Sequence, residues 1–70
     1  MSRMTKTDRL KRIAARLEQE AKSEAEAMER LDGIKDWRIN AILQSRIYTK
    51  AKIETYLFQI RGEIDREAAR

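Results

Sequence analysis

Cysteine, histidine, proline and valine are all missing from this 70-residue chain, and only two of its residues are glycine. Without cysteine there is no disulfide and no thiolate ligand, so a reducing compartment, the cytoplasm, is the expected home. Without histidine as well, the common zinc sites and the usual neutral-pH general base are excluded. No cofactor and no small-molecule substrate is expected. Proline and glycine punctuate loops, and their scarcity leaves room for one good turn in the whole chain. The absence of valine and the few aromatics disfavour a sheet. The longest apolar runs are three residues, Ala41-Ile42-Leu43 and Tyr56-Leu57-Phe58 among them, far too short for a membrane span. The first residues likewise lack the apolar core of a secretion signal.

What is present points one way. Nine alanines, eight isoleucines and five leucines sit among abundant Glu, Arg, Lys and Gln, most of them good helix formers. Charged residues make up 40% and the hydrophobic set 41%, too apolar for disorder. The length allows a single domain, residues 1–70, near the size where one core only just balances chain entropy. Folding help must then come from a partner or a second copy.

The turn is Leu31-Asp32-Gly33-Ile34. Gly33 suits the left-handed position past a helix end, with Ile34 folding back towards Met28. Asp36 suits the start of the next helix, and Thr5-Lys6-Thr7-Asp8 matches a capping box. These signals predict a first helix over about 6–31, a turn over 32–36 and a second helix over about 37–68. So short a link leaves the two rods antiparallel neighbours.

The first helix carries one stripe in steps of four and three: Leu10, Ala14, Leu17, Ala21, Glu24, Met28, Leu31, widened by Ile13 and Ala25. Glu24 interrupts it, either snorkelling from the seam edge or acting as a specificity device. The second helix carries two stripes. One reads Ile39, Leu43, Arg46, Lys50, Ile53, Leu57, Ile60, Ile64; the other reads Trp37, Ala41, Gln44, Tyr48, Ala51, Thr55, Phe58, Gly62. An offset of two residues is about 200° around a helix, so the stripes lie on nearly opposite sides. One neighbouring helix covers only one of them. The expectation is therefore an all-α, antiparallel two-helix hairpin that pairs with itself into a four-helix bundle. Dimers of short hairpins such as the plasmid regulator Rop are similar in architecture alone, which does not fix function.

Three constellations bear on function. Trp37, Tyr48 and Phe58, spaced by small residues, form knobs and pockets suited either to a dimer core or to docking another protein. Arg46 and Lys50 interrupt the Ile/Leu stripe; they either snorkel or form a basic pair for an acidic partner. Arg3, Lys6, Arg9, Lys11, Arg12 and Arg16 make a basic run, with Arg9, Arg12 and Arg16 on one arc and Arg16 level with Lys50. A net charge of +4 agrees with phosphate docking. Against it, residues 18–32 hold six acidic side chains that can answer much of the charge, and no aromatics interleave the cluster. No phosphate loop, nucleophile motif or metal-ligand cluster is present. The reading is a non-enzymatic regulator or adaptor that binds another protein through the aromatic face of the second helix, with a small nucleic-acid-binding dimer as the alternative.

Overall fold

A computed structural model describes residues 4–70, and Arg3 of the basic run lies outside them. Two helices account for nearly all of this: α1 over Lys6–Leu31 and α2 over Trp37–Ala68, packed side by side as an antiparallel pair. No strand occurs among the described residues.

Local chemistry sets each boundary. Thr5 caps α1: its hydroxyl accepts from the Asp8 N–H at 3.1 Å, and Asp8 Oδ2 accepts from the Thr5 N–H at 3.3 Å. Two otherwise orphaned donors are thus satisfied reciprocally. At the far end Gly33 turns the chain with φ +79°, the only residue of positive φ among those described. A side chain there would meet no atom within 4 Å, so the requirement for glycine is purely one of backbone conformation. Asp36 then opens α2 by accepting from the Arg38 N–H at 2.8 Å. The basic residues Arg30 and Arg66 sit in the last turns of α1 and α2, where the helix dipole favours them.

The α1 stripe and the Ile/Leu stripe of α2 face one another across a single seam. Leu10, Leu17, Ala21, Met28 and Leu31 are half-buried on one side, as are Ile39, Leu43, Ile53, Ile60 and Ile64 on the other. Among the described residues only Ala14 and Leu57 are buried, each 7% exposed. The two stand nearly level, as the register set by the Glu24–Arg46 pair requires. Ala14 lets the backbones approach where Leu57 fills the space.

The result is a thin slab, 52 × 24 × 13 Å, with a radius of gyration of 16.2 Å. A compact domain of this length would measure about 11 Å. Accessible surface is 5973 Å², against roughly 4,600 Å² for a folded monomer of 8.3 kDa. One layer of two helices cannot enclose a core, and much apolar surface stays outside.

Candidate functional site

The largest concentration of that surface is the second stripe of α2. Trp37 is 80% exposed, Tyr48 66% and Phe58 79%, with Ala41, Gln44, Ala51 and Thr55 exposed between them. All lie on the flank of α2 turned away from α1, because the seam occupies the opposite side. Isolated exposed aromatics are ordinary; three on one line of a helix, about 15 Å apart at 1.5 Å per residue, mark a surface suited to another chain. Lys52 borders it, its ammonium 5.5 Å from the centre of the Tyr48 ring.

The seam also holds charge. Arg46 Nη1 donates to Glu24 Oε2 at 3.1 Å and to Oε1 at 3.3 Å, joining α2 to α1. Lys50 pairs with Glu54 one turn on. Within the hairpin Arg46 and Lys50 thus each hold a carboxylate. Glu24, the apparent flaw in the α1 stripe, is the partner that brings Arg46 into register. A Glu in one stripe level with an Arg in a facing stripe is the sequence signal, unused above, that could have shown which side of α2 meets α1.

The basic run divides in the same way. Arg16 Nε donates to Glu20 Oε1 at 3.3 Å. Lys6 Nζ donates to Glu63 Oε1 and Glu67 Oε1, both at 3.1 Å, tying the start of α1 to the end of α2. Those hydrogen bonds, Glu67 first, hold the Lys6 ammonium pKa above its ordinary value. Glu63 is held below its ordinary value, chiefly by Arg66 and then by Lys6. The Asp36 carboxyl pKa is lowered by the Arg38 side chain, from which the carboxylate accepts at 3.0 and 3.2 Å. Arg61 pairs with Glu18 across the helices. Arg9 and Arg12 carry no ion pair among the described residues.

Two shallow grooves flank the seam. One is lined by Ala25, Met28, Leu43 and Ile47 together with Glu29 and Asp32, the other by Arg16, Gln19, Glu20, Ser23, Glu24, Thr49 and Ile53. Neither gathers a set of groups with an evident chemical task. Among the described residues, no three or more Asp or Glu side chains are placed to hold a metal ion, and no helix is long and apolar enough to cross a membrane. Comparison with protein-family models, curated proteins and solved structures gives no match.

Proposed function

We propose that this chain is a small non-enzymatic interaction protein of the cytoplasm, a regulator or adaptor by class, that assembles with itself through the aromatic flank of α2. The observation that carries the reading is the exposure of Trp37, Tyr48 and Phe58 on one line of a helix whose other side is already occupied. The first occupant of that line is a second copy of the chain, which makes a four-helix bundle from two hairpins. Burying three such aromatics in each copy removes roughly 900 Å² in all at about 150–250 Å² per ring. The small residues between them carry the total past the ~1,000 Å² that a specific interface needs. A two-fold dimer also presents each remaining surface twice, the geometry of a bridge between two copies of a target.

Sedimentation equilibrium tests this directly. The wild type is expected at twice 8.3 kDa, and Phe58→Glu at the monomer mass. A wild-type monomer at about 100 µM that binds no hydrophobic dye overturns the proposal.

The alternative is phosphate docking through Arg9, Arg12, Arg16 and Lys50. It keeps Arg9 and Arg12, which are unpaired among the described residues, and loses force at Arg16 and Lys50, which are not. Raising salt from about 50 to 200 mM would weaken such a nucleic-acid complex steeply and would leave an aromatic-anchored protein complex nearly unchanged.

A further inference from the structure

Gly62 has no explanation within the hairpin. It sits inside α2 with ordinary helical φ, and a Cβ added there would meet nothing nearer than Arg66 Nη1 at 3.9 Å. Glycine in a helix interior is unfavourable relative to alanine, and this one gains no space from it in the monomer. It is, however, the last member of the aromatic stripe.

From this and the order of residues along the stripe, we infer that two copies of α2 pair antiparallel about a two-fold axis passing between Thr49 and Lys50. The inference rests on the dimer proposed above and specifies its geometry. In that register Trp37 of one copy faces Gly62 of the other, Phe58 faces Ala41, Tyr48 faces Ala51, and Gln44 faces Thr55. Every aromatic ring of the stripe meets a small residue, and the two larger polar members meet each other. The spacing of the stripe permits this symmetry; the alternation of sizes selects it.

The flanking charges select the same register. Antiparallel helices bring like heptad flanks together, here Arg38 beside Gln59, Ser45 beside Lys52, Asn40 beside Arg61 and Ile47 beside Glu54. No like charges meet. Sliding one helix by a heptad in one direction sets Ala41 against Ala51, which leaves a hole, and Arg38 beside Lys52. Sliding it the other way drives Tyr48 into Phe58, sets Lys52 beside its own copy and Glu54 beside its own copy. Both alternatives combine poor packing with repulsion.

Because the seam and the stripe lie on opposite sides of α2, α1 does not obstruct the approach. The four helices then run in a flattened bundle, the α2 pair in the middle and one α1 on each outer side.

Spin labels on Thr49→Cys and, separately, on Gln59→Cys test the register in the 70-residue chain, which has no cysteine. At 1.5 Å per residue, the axis places the two Thr49 labels nearly level and the two Gln59 labels about 28 Å apart along the helices. A parallel pair would bring the Gln59 labels level; the two slipped registers would put them about 39 or 18 Å apart. Any of those three results in a sample that sediments as a dimer overturns the register and leaves the dimer standing. A sample that sediments as a monomer, with no coupling between labels, overturns both. A transposition gives an independent readout. Ala51→Tyr, which sets two tyrosines face to face, is expected to weaken self-association tenfold or more. Adding Tyr48→Ala restores it, since the large and small partners have only changed places. Failure of the double variant to recover, with helicity intact, counts against the pairing.

Discussion

Among the described residues Glu24 and Arg46 form the part-buried ion pair between the two helices, with Nη1–Oε2 at 3.1 Å and the carboxylate less exposed than the guanidinium. A partly wet pair of this kind contributes little net stability, while removing one member strands the other. Glu24→Ala is expected to cost about 0.5–1 kcal/mol in urea unfolding. Replacing both members, Glu24→Leu with Arg46→Leu, is expected to raise the unfolding midpoint above that of the wild type. A double variant less stable than either single variant would show that the pair holds more than register.

The outer stripe should reveal itself through concentration. If dimerisation and folding are linked, the wild-type melting temperature climbs as protein concentration rises. Tyr48→Glu and Phe58→Glu are expected to abolish that climb, because each places a charge on the buried line. Leu57→Asp acts differently. It puts an unpaired charge at the covered centre of the seam, and circular dichroism should show lost helicity at every concentration.

The two glycines predict opposite outcomes. Gly33→Ala forces a Cβ into φ +79° and should destabilise the hairpin by about 1–2 kcal/mol. Gly62→Ala meets no obstacle in the monomer, so dilute samples should gain helicity. Self-association of the same variant should fall, since Trp37 of the other copy loses its pocket. Thermal melts across a dilution series read both effects.

Acid should loosen the caps and the ends. Asp36 and Glu63 are held below their ordinary values of 3.8 and 4.5. A carboxylate lowered on folding contributes stability that is complete above its unfolded value and is lost as pH falls through the folded one. Melting temperature should therefore be level from about pH 6 to 5 and drop below about pH 4.5. Asp36→Asn and Glu63→Gln should each flatten the drop. Lys6, held above 10.5, works in the other direction: its contribution persists through neutral pH and disappears as strongly alkaline pH passes its raised value.

Much of this architecture can be read from local chemistry. Thr5, Asp8, Gly33 and Asp36 announce their roles by residue type and spacing, because a cap involves only three or four consecutive residues. The helical stripes are legible for the same reason: periodicity is a property of one element. The choice between two apolar sides of α2 is a property of two elements together. Both sides have enough hydrophobic residues to attract α1, and isoleucine against tryptophan does not decide the matter. The decision comes from small residues, Ala14 and Ala21, set against branched aliphatics, and from Glu24 meeting Arg46. The charges of Arg16 and Lys50 were legible as charges, but not as charges already answered by Glu20 and Glu54.

A slab 13 Å thick has almost no interior to hydrate when it opens. Heat capacity of unfolding follows the apolar area newly wetted, and for ordinary globular domains it is about 12–15 cal/mol/K per residue. A lone hairpin with two covered side chains must fall well short of that. Its stability curve is therefore shallow, its calorimetric transition is broad, and chilling weakens it little. A sharp endotherm from the same chain would be the thermal mark of helices that had found a second layer to bury themselves in.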